Sequence, residues 1–317
     1  MKILVTGGCG YIGTNLIPYL LKKNHKIISV DTKWFGDYLP KHKNLKNLKL
    51  DIAEIGKINL KGVDCVIHLA SVSNDPMAEI DKNLSWETSA LNSMKLMEHL
   101  VKNKVKRIIY ASSGSVYGIN DKKRITEDTE LNPISLYNKV KMVTERILQS
   151  YSKSIELFIV RPATVCGFSK RMRLDVSVNA LTFSALEKKK ITVFGGNQVR
   201  PNIHMDDMVK LYDFLIKVNK KFTGTYNAGF DNVSILDMAK LIKKEISCEI
   251  LINKSVTDPR NYRLDSSKLL KIGFKPSKNI INAIKELKEY YINGTLSENP
   301  KSHSLKWLKK VLKNRKV

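Results

Sequence analysis

Paired cysteine, arginine and long apolar runs are all scarce in this chain. Its four cysteines, Cys9, Cys65, Cys166 and Cys248, stand far apart with neither CxxC nor zinc-ligand spacing. That excludes a disulfide-stapled scaffold and makes a reducing compartment the simplest setting. No uninterrupted apolar stretch reaches the ~18–20 residues that span a bilayer. The run MKILVTGG is too short, and lacks the cleavage pattern, for a signal peptide; a cytoplasmic location is the expectation. Of 55 cationic side chains only ten are Arg, so the formal net charge of +25 is lysine scattered along the whole sequence. Sequence-specific nucleic-acid readers use the planar guanidinium fork, and no aromatic-basic RNA motif occurs. A solvated lysine surface is therefore favoured over nucleic-acid binding, and the excess charge would speed the arrival of an anionic substrate.

What is present is a rhythm. The 317 residues are 43% hydrophobic, enough to bury one large core or two intimately packed ones. Short apolar runs (KILVTGG, HKIISVD, DCVIHLA, VKRIIYAS, IELFIVRPA) alternate with stretches of helical spacing, such as YIGTNLIPYLLKK, about 84–104, and LYNKVKMVTERILQSYSK. Buried strands alternating with amphipathic helices predict βαβ units and a doubly wound parallel α/β sheet of Rossmann type. The rhythm breaks after Gly167. Residues 1–167 are expected to form the nucleotide-binding domain. Residues 168–317 are expected to form mainly a smaller α/β lobe, with some segments returning to the first sheet. Helical patterns recur there at about 235–247 and 279–291. In the tail, Leu305, Leu308 and Leu312 share one helix face among cations. This predicts a helix docked on its own domain or a partner subunit, in preference to one lying on a membrane surface.

Gly7, Gly10 and Gly13 fall where the first strand meets the first helix. Glycines at this turn permit a tight bend and close approach of a pyrophosphate, which the helix N-terminus then attracts. Asp31 ends the second strand, where a carboxylate can accept from adenosine ribose hydroxyls and repel a 2′-phosphate. NAD is thus favoured over NADP, although Lys33 lies close by. Further on, IIYASSGSVYGIND leaves a core strand through hydroxyl groups rather than ordinary turn residues, so something is expected to bind where that strand ends. Tyr137 and Lys141 are four apart on a predicted helix and share a face. A nearby ammonium can lower a phenol whose usual pKa is about 10 into the range of a general base.

Together TGGCGYIG, Asp31, Asp51 in LKLDI, VIHLAS, YASSGSVYG, YNKVK followed by Glu145, RPATVCG and RPNIHMDD resemble the extended short-chain dehydrogenase/reductase family. The resemblance is to its NAD-dependent, UDP-glucose 4-epimerase-like nucleotide-sugar enzymes, and it runs over nearly the whole chain. It implies that Ser113 bonds the substrate hydroxyl, Tyr137 is the general base and acid, and Lys141 activates Tyr137 and bonds the nicotinamide ribose. NAD would then lie along Gly7, Gly10, Tyr11, Ile12, Gly13, Asp31, Asp51, Ile52, Leu69, Ala70, Ser71, Pro162 and Val165. For the nucleotide sugar, Arg200 would meet the diphosphate and Asn179 would lie on the nucleotide side, with Arg171, Arg173, Arg260 and Arg263 as further substrate candidates on weaker grounds. A homodimer through the helices near 84–104 and 137–152 is a further implication.

Sugar dehydratases of that family place an Asp-Glu pair after the catalytic Ser or Thr. Here Gly114 and Ser115 occupy those positions, which disfavours dehydration. A carbon-4 epimerase remains, with a 4-dehydrogenase or reductase as the alternative. A non-catalytic NAD sensor is a second alternative, opposed by the joint presence of Ser113, Tyr137 and Lys141. The segments SNDPM and RPNIH depart from the galactose epimerase pattern and leave the sugar and base open. His68 and His204 lack ligand spacing and read as structural, so no metal is expected.

Overall fold

A computed structural model describes residues 1–120, 122, 124–255 and 261–314; Arg260 lies outside the described residues. The chain begins β1 (Lys2–Thr6), α1 (Gly13–Lys22), β2 (Lys26–Asp31), β3 (Leu45–Lys49) and β4 (Cys65–His68). Next come α2 (Asp75–Ala78), α3 (Lys82–Trp86) and α4 (Asn92–Lys102), the last two joined by a π-helical turn, Glu87–Leu91. β5 (Arg107–Ala111), α5 (Leu136–Gln149), β6 (Glu156–Pro162) and β7 (Thr164–Cys166) follow. Then come α6 (Ser177–Lys188), β8 (Lys190–Phe194), β9 (Val199–His204), α7 (Met205–Lys217), β10 (Gly224–Ala228) and β11 (Asp231–Ser234). The remainder is α8 (Ile235–Glu245), β12 (Glu249–Asn253), α9 (Ser267–Lys271), α10 (Ile280–Ile292) and α11 (Ser304–Lys313).

A seven-stranded parallel sheet orders these strands β10-β6-β5-β4-β1-β2-β3. Its central strands are apolar and covered on both faces, as parallel sheets require. Successive β1 side chains point to opposite faces: Ile3 and Val5 join one core with α1 and α7, while Leu4 joins a second with α4. Edge strand β3, LKNLK, alternates exposed lysine with half-buried residues, the charged pattern that discourages edge pairing. The order reverses between β1 and β4, and at such a switch point the carboxyl ends open a crevice. Smaller sheets, β11-β9-β7 and β12-β8, lie later in the chain. A third core unites β8 with α6, α8 and α10.

Helices α6 and α7 escaped the periodicity reading. In α6, Val178, Asn179, Thr182, Phe183, Ala185 and Leu186 are all buried, so no clean polar face marks it as a helix. The tail does form a helix. Its Leu305, Leu308 and Leu312 face packs against Val72, Met77, Trp34 and Phe35 of its own chain, which occupies the surface a membrane would need. Among the described residues no helix is long and apolar enough to cross a bilayer.

Candidate active site

The turn after β1 is shaped by close approach. Gly7 has φ +72°, and a Cβ there would lie 2.7 Å from the Ala70 nitrogen; a Cβ on Gly13 would overlap the Gly8 carbonyl oxygen. Only glycine meets both demands. Ile12 gives α1 no side-chain cap, and no carboxylate sits in its first turn, so the positive end of the helix carries no protein anion. Asp31 bends back to this turn and accepts from the Cys9 N–H at 3.0 Å and the Lys33 N–H at 2.6 Å. Burial raises its pKa, and those two bonds oppose the rise.

Leu69, Ala70 and Ser71 continue from β4, half-buried. The Leu69 N–H donates to the Thr6 carbonyl at 3.0 Å. Asp51 caps the short helix that begins at Ile52, accepting from the Ala53 N–H at 3.0 Å; the Ile52 side chain is core. Tyr11 turns the other way. Its buried hydroxyl donates to the Gly167 carbonyl at 2.6 Å.

Beyond β5 the hydroxyls form a chain. Ser113 Oγ accepts from the Ser115 N–H at 3.2 Å and caps the turn Gly114–Tyr117. Ser115 Oγ donates to Asn138 Oδ1 at 2.6 Å and lies 2.7 Å from Ser113 Oγ. The Ser113 hydroxyl also acts on the Tyr137 phenol, lowering its pKa. Ser135 starts α5 by accepting from the Asn138 N–H at 3.2 Å, and it donates to the Asp75 carboxylate. One helical turn beyond Tyr137, Lys141 Nζ lies 5.9 Å from the Tyr137 ring centre and donates to the Ala111 carbonyl at 2.8 Å. Ala111 and Ser113, at the end of β5, thus both meet the tyrosine–lysine face of α5.

The charges differ from the sequence expectation. Burial pushes the Tyr137 phenol up to about 12, while the Ser113 bond and then Arg173 pull it down, and Asp75 and Tyr262 push it up. Burial lowers Lys141 to about 7, with Glu145 opposing. Arg173, outside the Y-x-x-x-K spacing, is thus a cation that lowers the phenol.

Behind this wall lies a buried clamp. Glu145, one further turn along α5, accepts from the Ser112 hydroxyl. Arg161 on β6 donates to it from Nη2 at 2.6 Å and Nε at 3.0 Å, and from Nη1 to the Tyr117 oxygen at 2.8 Å. The Tyr117 hydroxyl donates onward to Asn227 Oδ1 at 2.7 Å. Burial works against the Arg161 charge, but the Glu145 bonds hold its pKa above the usual value.

The residues after β7 are organised differently. Asn179 is fully buried: Oδ1 accepts from the Gly167 N–H at 3.0 Å, and Nδ2 donates to the Tyr11 oxygen at 2.9 Å and the Arg173 carbonyl at 3.0 Å. Both ends of its amide make bonds within the protein, which brace the segment after β7. Arg173 pairs with Asp175 at 2.8 Å. Arg200, on β9, is largely buried and donates to the Val199 carbonyl at 3.0 Å. Pro162 closes β6, half-buried, and Val165 on β7 joins the core.

His68 bonds Thr6 at 2.7 Å and Ser93 at 2.8 Å, and burial lowers it to about 3. His204 caps α7 through the Asp206 N–H. Both have internal work. Among the described residues no group of three His, Cys, Asp or Glu side chains converges as metal ligands.

Four participants were not singled out from sequence as part of the site. Ser115 and Asn138 sit beside recognised positions, so adjacency was their signal. Asp75 and Asn74 lie in SNDPM, noted only as a departure from the galactose epimerase pattern. Asn74 adopts φ 75°, rare for a residue with a side chain, and bonds the Met77 N–H at 3.0 Å and Asp175 at 3.4 Å.

A parallel sheet with this glycine turn and a Ser–Tyr–Lys cluster at the β5 edge defines a dinucleotide-dependent enzyme class. The profile of the NAD dependent epimerase/dehydratase family matches residues 3–229, and the chain belongs to that family. It is 30% identical over 84% of its length to the uncharacterized UDP-glucose epimerase YtcB of Bacillus subtilis, covering 90% of that protein. It is also 30% identical over 76% of its length to a dTDP-D-glucose 4,6-dehydratase of Dictyostelium discoideum, covering 61% of it. Among solved structures, a UDP-glucuronic acid 4-epimerase from Bacillus cereus in complex with UDP-glucuronic acid and NAD superposes with a TM-score of 0.79. That similarity spans 92% of this chain and 100% of the other at 25% identity. The relatives span more than one reaction. The glycine junction at Gly7 and the helix end without a protein anion fit an NAD diphosphate.

Proposed function

We propose that this protein is an NAD-dependent nucleotide-sugar epimerase acting at carbon 4. The observation that carries the reading is the Ser113–Tyr137–Lys141 cluster with Gly114 and Ser115, and no carboxylate, at the positions dehydratases use. When bound, NAD supplies a hydride acceptor and, once reduced, a donor. The chain's own groups move and hold the proton. Ser113 orients the sugar hydroxyl, and the Tyr137 oxygen takes its proton and later returns it. The chain through Ser115 to Asn138 fixes the rotor of Ser113, so its lone pairs meet the substrate in one geometry. Arg173 favours the phenolate, and Lys141 charged near neutral pH would do the same. Asp31, Asp51, Leu69, Ala70 and Ser71 line the cofactor side in this reading, and Arg200 meets the nucleotide diphosphate.

Two copies are proposed to pair through α4 and α5, supported by the exposed Trp86 and Leu91 beside them; a monomer by light scattering would reject this. The reaction is tested with a panel of UDP-, GDP-, dTDP- and CDP-sugars without added cofactor, followed by proton NMR and nicotinamide absorbance. Inverted sugar without lasting NADH supports the epimerase. Stoichiometric NADH with a keto-sugar replaces it by a 4-dehydrogenase.

A further inference from the structure

The last helix has no part in the chemistry above, yet its segment is fastened to three loops at once. Trp307 Nε1 donates to the carbonyl of Trp34, in the loop after β2, at 2.7 Å. Leu308 is fully buried against Val72 and Met77, in the segment after β4. The Leu174 N–H donates to the Ser302 carbonyl at 2.9 Å, and Arg171 Nη2 to Ser304 Oγ at 3.1 Å, which ties in the loop after β7. The first two loops start at the cofactor residues of the reading above: Trp34 is three positions after Asp31, and Val72 follows Ser71 directly.

Arg171 is the unusual member. It is only 4% exposed, its guanidinium lies 4.0 Å over the Phe35 ring, and its Nε has no hydrogen-bond partner among the described residues. Its other bonds go to the neutral Ser304 hydroxyl and to the Met172 carbonyl at 3.2 Å. Burial, and then the neighbouring Arg173, lower its pKa to about 10. A buried guanidinium without a contacting carboxylate is costly to keep. It suits a diphosphate, the anion that a planar fork binds well.

We propose that the Asn299–Asn314 segment and Arg171 complete the dinucleotide site as a strap, enclosing the cofactor so that it leaves only when α11 lifts. The inference rests on the NAD reading above. It also fits a reaction that regenerates its cofactor, since no turnover then requires release.

The test uses the full chain loaded with NADH, with release followed by nicotinamide fluorescence after dilution into excess NAD. Variants are Leu308→Ala, Trp307→Phe and Arg171→Met; UDP affinity is measured by calorimetry, and hydrogen exchange across 304–313 reports strap opening. The expected result is release accelerated roughly tenfold or more in Leu308→Ala and Arg171→Met, with UDP affinity unchanged. Trp307→Phe should fall between these and wild type. If exchange across α11 rises while release stays unchanged, the strap is overturned. If Arg171→Met weakens UDP instead and leaves NADH release alone, its diphosphate belongs to the nucleotide sugar and the proposal fails. Should Arg171→Met not fold, the other two variants decide. A wild type that binds no NADH overturns the cofactor reading itself, a result distinct from all of these.

Discussion

The two sides of the cleft satisfy their polar groups in different ways. On the β5–α5 side, Tyr137, Lys141 and Glu145 project from successive turns of one helix onto consecutive residues, Ala111 to Ser113. Spacing inside one helix therefore fixes the reacting groups relative to each other. On the other side, Arg171, Arg173 and Asn179 belong to one segment that mixes local bonds with distant ones: Arg173 pairs with Asp175, but Ser304 lies 133 positions from Arg171 and Tyr11 lies 168 from Asn179. One side is a local, buried clamp. The other is assembled from distant pieces and is the easier one to vary between relatives with different sugars.

That contrast makes unequal demands on mutants. Tyr137→Phe should lower turnover about 10²–10⁴-fold with NAD content unchanged, read by NMR on the sugar that the panel identifies. An unaffected rate would remove the β5–α5 side from the chemistry. Glu145→Gln leaves Arg161 charged, buried and unpaired, and should destabilise by about 3–5 kcal/mol in urea unfolding.

Arg173→Met sharpens the comparison. Its pair with Asp175 is 14% and 21% exposed at the side chains, against 6% and 1% for Arg161 and Glu145. Its loss should be within about 1 kcal/mol; an equal effect at both pairs would erase the distinction drawn here. Asn179→Ala should cost about 1–3 kcal/mol and leave UDP affinity intact. Lost UDP binding at unchanged stability would return Asn179 to the substrate.

The last effect is a slope. Lys141 titrates near 7 when folded and near ~10.4 unfolded, so between those values the unfolded chain binds the extra proton. Wild type should therefore gain stability relative to Lys141→Met as pH rises through that window, by about 1.4 kcal/mol per pH unit. Parallel curves for the two proteins would show that Lys141 stays charged in the fold.

Much of the first region was legible because its signals are local. Gly7 and Gly13 are required by contacts within one turn and its neighbour, and Tyr137 and Lys141 by one helical repeat. The second region was legible only in part. Arg173 carried no spacing that set it above other arginines, and no pattern showed the internal bonds of Asn179. Asp75 meets α5 only because the segment after β4 folds across the β5 edge, and Asn74 braces it through Asp175. No periodicity reports such a contact.

The sequence by itself determined the alternation of strand and helix, the glycine turn, and the pairing of tyrosine with lysine, since each depends on backbone sterics or a repeat a few residues long. The tertiary structure decided that Arg173 comes near the phenol, that Lys141 is buried, that Asn179 is bonded inside the protein, and that the last helix docks on its own chain. Desolvation and long-range contact set those properties, and both exist only once segments far apart in the chain exclude water together.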